Sequence, residues 1–227
     1  MVITMSWIRN QIQLRLPWVF NRLRVMLYAF RIVFYPSSIL HTTGYWRCLA
    51  KGSICDANDK PLPYLNYAVI HFLQLRLRPE MTVFEYGAGF STLFFAARCS
   101  HVTSVEHDAG WVKQLIANLP ENTSLSHVPL VDGTSEYENA IAIIGGSFDL
   151  ILVDGRRRVA CVTSAVRHVS PTGAIILDNS ERPRYADAHT FMASNGYKSL
   201  HFVGLAPWGI VEEQSTLFYR PDNVFGI

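Results

Sequence analysis

The stretch TVFEYGAGFSTLFFA, residues 82–96, decides how the rest of the chain is read. It opens as a run of strand formers, ends that run on the carboxylate of Glu85, and breaks at Gly87 and Gly89. It then resumes with the apolar spacing of a helix. A turn that only reversed the chain would need no acid before its glycines. Glycine lets backbone bend sharply and approach a ligand with no Cβ in the way. Ser91 and Thr92 stand where the helix opens, with backbone N–H groups still unspent. The loop reads as a holder.

Outward from this loop the chain alternates. Strands are expected at 81–85, 101–106, 124–130, 148–154 and 174–178, and helices at 90–98, 109–118, 134–143 and 157–169. On the last of these helices Val159, Val162, Val166 and Val169 mark one apolar face. Further helices are expected near 64–76 and 185–195. Such alternation makes a parallel sheet covered by helices on both sides, the α/β class. KSLHFVG (198–204) and STLFYRP (215–221) are joined by too few residues for a crossover helix, so this pair is expected to be antiparallel.

Open parallel sheets bind ligands beyond the carboxyl ends of their strands. A dinucleotide loop would read G-x-G-x-x-G, but Thr92 stands at the third glycine and Glu85 would repel a pyrophosphate. The acid suits a ligand carrying an ammonium and a sulfonium. The stretch resembles motif I, E/D-x-G-x-G, of the class I S-adenosylmethionine-dependent methyltransferases, over roughly residues 62–221. That resemblance implies a Rossmann-like, mostly parallel seven-stranded sheet with a terminal antiparallel pair. It also implies S-adenosylmethionine in a cradle of Glu85, Gly87, Gly89, Ser91 and Thr92. Glu106 in SVEHD would accept the ribose hydroxyls with His107 beside it, and Asp132 and Gly133 in PLVDG would meet the adenine. An NAD-dependent oxidoreductase and a non-catalytic scaffold on the same fold are the competing readings.

Two more strands end in polar clusters, LILVDG at Asp154 and AIILDNS at Asp178 and Asn179. Two carboxylates and an amide oxygen suit Mg²⁺ or another hard divalent cation. The pattern is similar to cation-dependent O-methyltransferases, where the ion gathers two substrate hydroxyls and acidifies the attacking one. Alternatively, Asp154 orients the substrate while Asp178 and Asn179 cap their strand. Where catechol-type enzymes carry a lysine base this chain has Arg157, which cannot take up a proton at neutral pH. The base then falls to Asp154, His107 or His168.

Arg156, Arg157 and Arg158 open a helix, where the dipole disfavours cations, so a balancing carboxylate or phosphate of an acceptor is expected; alternatively, one or two of the three pair with Glu181 or are solvated. The order VDGRRRVAC…LDNSERPRY is similar to uncharacterised bacterial methyltransferases and, more loosely, to plant enzymes that methylate glucuronic acid in xylan. This implies O-methylation of an acidic sugar, a glycan or another small hydroxylated acceptor, free or lipid-linked. Tyr64, Tyr67 and Trp208 are candidate walls of the acceptor site.

Residues 1–55 contain seven Arg and Lys and no acid, whereas the remaining 13 basic and 18 acidic residues give a net charge of −5. Two parts are expected, a basic extension over 1–60 and a catalytic domain over 61–227. Within 7–35 an apolar face formed by Ile8, Ile12, Leu16, Val19, Leu23, Met26, Leu27 and Phe30 is bordered by Arg15, Arg22, Arg24 and Arg31. Such a helix either lies on an anionic bilayer or packs on the domain. No transmembrane span is expected, because arginines interrupt the windows of about 18–20 residues that one needs. No secretory signal is expected either. Four scattered cysteines suit reduced thiols, and the expected location is cytoplasmic, peripheral on the inner membrane face. With no N-P-P-Y motif and an acidic catalytic region, nucleic acid is not expected as a partner.

Overall fold

The computed structural model describes residues 13–14 and 16–227. Ile8, Arg9, Ile12 and Arg15 of the expected N-terminal helix lie outside the described residues.

β1 (Thr82–Tyr86) runs through the middle of a seven-stranded sheet. Parallel to it on one side lie β2 (His101–Glu106) and β3 (Thr123–His127). On the other lie β4 (Phe148–Val153) and β5 (Val169–Leu177), also parallel. The chain closes with β6 (Lys198–Leu205) at the edge and β7 (Glu212–Tyr219) inserted antiparallel between β5 and β6. The resulting order is β3-β2-β1-β4-β5-β7-β6. Its direction of winding reverses between β1 and β4, where an open α/β sheet forms its crevice.

The central strands are apolar at successive positions because both faces are covered. Val83, Leu150, Leu152, Ile176 and Leu217 face one layer, with α4 (Tyr67–Arg76) and α5 (Phe90–Ala96). Their neighbours Phe84, Ile151, Val153, Ile175 and Phe218 face the other, with α7 (Glu136–Ile144), α8 (Arg158–Ala165) and α9 (Ala186–Ser194). α6 (Ala109–Ile116) starts where Asp108 accepts the Trp111 N–H at 2.8 Å, and α4 starts where Asn66 accepts that of Val69 at 3.1 Å. All four cysteines are free and buried.

Three boundaries move from their expected places. β3 stops at His127, ahead of Pro129, which has no N–H for the ladder. α8 ends at Ala165, so Val169 is the first residue of β5 and does not continue the helical face. Gln13 and Leu14 are helical, and after Leu16 the helix starts afresh as α1 (Pro17–Phe34), with Pro17 at the first position, where a missing N–H costs nothing.

α1 departs furthest from expectation. It buries no residue, and its apolar side chains are exposed on every side: Trp18, Leu23, Val25, Tyr28, Phe30 and Ile32 are between 49 and 65% exposed. It neither packs on the domain nor confines its apolar residues to one face. Between Leu23 and Leu40 only Arg24 and Arg31 are charged. By length and composition the segment Pro17–Thr42 can cross a membrane, which corrects the expectation that arginines break every such window. After it, α2 (Ile39–Thr42) and α3 (Tyr45–Lys51) return the chain to the domain, where Tyr45 and Cys48 are buried.

Candidate active site

The strand register places the site. Glu85 pairs with Ser104 across β1 and β2, and Val153 pairs with Leu177 across β4 and β5, so Asp154 and Asp178 leave the sheet side by side. β1 and β4 end in a mutual close approach. Gly87 has φ +94°, and a Cβ there would lie 3.1 Å from the Gly155 backbone. At Gly155 a Cβ would collide with the Tyr137 hydroxyl and sit 3.1 Å from the Tyr86 carbonyl. Two glycines back to back therefore form the floor of a cavity of about 380 Å³. Tyr64, Gly87, Gly89, Ser91, Glu106, His107, Asp154, Arg156 and Arg158 are among its lining, with Trp111 as a wall that sequence reasoning missed.

On the β2 side, Glu106 is 5% exposed. Its Oε2 accepts the Ala88 N–H at 3.2 Å, and its Oε1 accepts the N–H groups of His107 and Asp108 at 2.7 and 2.9 Å. His107 Nδ1 lies 2.6 Å from the same Oε1 but without the geometry of a hydrogen bond. Trp111 donates its indole N–H to the Ala88 carbonyl at 2.7 Å and holds the glycine loop from outside.

Glu85 lies beneath that loop, fully buried, and does not line the cavity. Its Oε1 accepts the hydroxyls of Thr92 and of Ser104, the latter at 2.6 Å. Its Oε2 has no partner within the protein. Burial pushes this carboxyl up to about 7, against the pull of the hydroxyls around it. Thr92 also accepts the Gly89 N–H at 3.0 Å, so it joins the loop to the buried acid. Asp132 and Gly133 do not join this group. They follow β3 in a loop, where the Asp132 side chain is fully exposed and its nearest cation is Arg157, at 3.8 Å.

On the β4 and β5 side, Asp154, Asp178 and Asn179 do converge, and Arg158 sits among them. Its Nη2 donates to Asp154 Oδ1 at 2.7 Å, and its Nη1 faces Asp178 Oδ2 at 3.5 Å and Asn179 Oδ1 at 3.3 Å. Ser215, from β7, donates to Asp178 Oδ1 at 2.8 Å. Burial and the neighbouring Asp178 push Asp154 well above the usual carboxylate range, while Arg158 opposes them. Among the described residues no group of three or more His, Cys, Asp or Glu is placed to hold a metal ion. The expected ligand set does not fit an ion as it stands, because the Arg158 guanidinium already lies on one oxygen of each of its three members.

The three consecutive arginines divide their work. Arg157 has φ +47° and donates to the carbonyls of Thr134 and Val131 at 2.6 and 3.0 Å, with Glu138 at 3.3 Å. It fastens the loop after β3 and has no part in proton transfer. Arg158 is the buried cation. Only Arg156 remains exposed, and a second cavity of about 440 Å³ begins at it, gathering Arg182, Arg184 and Tyr185 beside the triad. Sequence reasoning missed Arg182 and Arg184, although both stand in the quoted SERPRY.

The remaining candidates scatter. Tyr64 lines the first cavity, and burial together with Glu213, Asp178 and Asp154 pushes its phenol up. Tyr67 lines a different, largely apolar cavity of about 590 Å³ between the α2–α3 segment, α4 and β6. Trp208 occupies the turn between β6 and β7 with φ +66° and lines neither the first cavity nor the arginine cavity. His168 precedes β5 at the opposite end of the sheet, its ring against the Gly146 carbonyl, which removes it as a base for this site.

No protein-family model and no curated protein matches the chain. Solved structures do. A precorrin 8w decarboxylase from Methanobacterium thermoautotrophicum superposes with a TM-score of 0.54 at 16% identity, covering 75% of this chain and 97% of that one. An rRNA methylase from Streptococcus thermophilus gives 0.51 at 12% identity, covering 70% and 99%. Fibrillarin from Aeropyrum pernix, with natively bound S-adenosyl-L-methionine, gives 0.51 at 9% identity, covering 67% and 74%. The chain has the Rossmann-like fold of the class I methyltransferases.

Proposed function

We propose that the chain is an S-adenosylmethionine-dependent methyltransferase acting on an oxygen of a small anionic acceptor, such as an acidic sugar or glycan. The observation that carries this reading is the junction of two unlike cavities at Arg156. One is bounded by the glycine loop and Glu106, the other by exposed arginines. A dinucleotide oxidoreductase fits less well, because here an antiparallel β7 interrupts what that fold builds as six parallel strands.

When bound, S-adenosylmethionine supplies a methyl group on a positively charged sulfur. Gly87 and Gly89 leave room for it against the backbone, and Glu106 presents carboxylate oxygens to its sugar hydroxyls. The unpartnered Glu85 oxygen adds negative potential under the loop. Asp154, in the lining of the first cavity one residue before the shared Gly155, receives the acceptor's hydroxyl proton. A raised pKa makes it a better base than an ordinary carboxylate. Arg156, Arg182 and Arg184 draw the acceptor's anionic group, and Tyr64 lines the first cavity with Asp154. No step requires a divalent ion.

Calorimetry tests the cofactor. S-adenosylhomocysteine is expected to bind and NAD is not; the reverse result would move the protein to the oxidoreductases. Radiolabelled methyl transfer into fractionated glycans and lipids then tests the acceptor, with Asp154→Asn expected to abolish incorporation. Binding without transfer to any fraction would leave a scaffold.

The place of action is proposed from α1. A helix that is apolar all round and unburied by its own protein suits a lipid environment. At about 1.5 Å per residue its 18 residues approach the ~30 Å of a hydrocarbon core. Arg22, Arg24 and Arg31 lie inside that length, so their long side chains must snorkel to meet anionic headgroups. The full chain is expected to sediment with vesicles, more with phosphatidylglycerol than with phosphatidylcholine alone, and Leu27→Asp with Phe30→Asp is expected to release it. Equal recovery of both forms in the supernatant would remove the membrane from this proposal.

A further inference from the structure

We infer that Arg158 is the resident cation of this site: its guanidinium occupies the place among Asp154, Asp178 and Asn179 where the oxygen ligands alone would invite a divalent metal. The inference rests on the proposed methyl transfer only for its consequence, not for its geometry. Arg158 is the first residue of α8 and is 8% exposed, a costly place for a cation at a helix N-terminus. The fold offsets that cost on every donor. Nε donates to the Gly155 carbonyl at 3.0 Å, Nη2 to the Asp154 carbonyl at 3.0 Å and to its Oδ1 at 2.7 Å, and Nη1 to the Asp178 carbonyl. The same Nη1 stands within reach of Asp178 Oδ2 and Asn179 Oδ1. Tyr185 covers the guanidinium, with its ring centroid 5.6 Å from Cζ.

At Asp178 both acceptor oxygens are engaged as well. Asp178 is 2% exposed, with one oxygen on Arg158 and the other on Ser215, and the Asn179 amide N–H₂ reaches Glu213 at 3.4 Å. A divalent ion at its usual 2.0–2.6 Å from these oxygens would stand against a buried like charge that cannot lose its proton. Displacing the guanidinium would strand it unpaired. Arg158 thus supplies a fixed positive charge and, through Nη2, holds Asp154 turned to the cavity. It is a positioning residue, and the arrangement requires no ion uptake from solution.

Manganese binding tests this without substrate or cofactor. Electron paramagnetic resonance of the full chain titrated with Mn²⁺ is expected to show no stoichiometric uptake by the wild type. Arg158→Met, which frees both carboxylates, is expected to gain one Mn²⁺ per chain, and Arg158→Lys to gain none. One Mn²⁺ per wild-type chain, lost in Asp154→Asn, would overturn the inference. So would an Arg158→Met protein of native circular dichroism that takes up none. If that variant does not fold, the wild-type titration still decides. Failure to bind S-adenosylhomocysteine would sink the methyltransferase reading while leaving this result standing.

Discussion

Glu85 and Asp178 are both carboxylates at the ends of central strands, 0 and 2% exposed, and the two halves of the sheet handle them differently. At β1 the acid meets only hydroxyls, keeps one oxygen unpartnered and is pushed up to about 7. At β5 the acid meets a guanidinium that opposes the upward push of burial. A buried charge must either shift its titration or find a partner. Burial pushes the acids of both halves up, but only the half assigned to the acceptor sets a buried cation against that push. The difference teaches where charge can still be accommodated: beside Glu85 a positive ligand would be welcome, whereas beside Asp178 the positive charge is already built in.

Removing the built-in partner is the hardest blow to that contrast. Arg158→Met is expected to destabilise the fold by about 3–5 kcal/mol, the cost of stranding a buried acid, as read by urea denaturation; a loss under 1 kcal/mol would show that Asp178 is not held by charge. The Glu85 half is tested next through pH. Its folded pKa, about 7, is above the ordinary 4.5, so its contribution to stability is full below pH 4.5 and is lost as pH rises through 7. The gap corresponds to about 3 kcal/mol. Glu85→Gln is therefore expected to lose that decline and to be more stable than wild type at pH 8. Parallel stability curves for the two proteins would place the raised pKa elsewhere.

Smaller effects sharpen the picture. Gly87→Ala is expected to cost about 1–3 kcal/mol, from its left-handed φ and the Gly155 backbone behind it, with the melting temperature as readout. Ser104→Ala removes one hydroxyl from Glu85 and is expected to cost about 1 kcal/mol above pH 7 and less at pH 5, where the acid is protonated. A cost independent of pH would mean that Ser104 serves packing alone.

The strand ends were legible because acids after apolar runs are local patterns: Glu85, Glu106, Asp154 and Asp178 all close strands of the central sheet. What each acid does there was not legible. Three identical arginines in sequence carry no sign that Arg157 adopts a left-handed backbone and turns to the Val131 and Thr134 carbonyls, or that Arg158 is drawn inward by a residue 20 positions later. Asp132 misled because its strand ends early, at His127. Tyr64 and Tyr67, three residues apart, belong to different cavities because Asn66 between them starts a helix. The apolar face drawn on α1 failed for a simpler reason: Val25, Tyr28 and Ile32 lie outside it and are just as exposed.

The paired glycines have a lasting consequence. With Gly87 and Gly155 in contact, the base of the crevice has no room to gain a side chain, so it is closed to adjustment by substitution. Any drift in what this scaffold accepts must be written around the rim, at Tyr64, Arg156, Arg182 and Arg184. Relatives that share the glycines should then differ chiefly at those four positions.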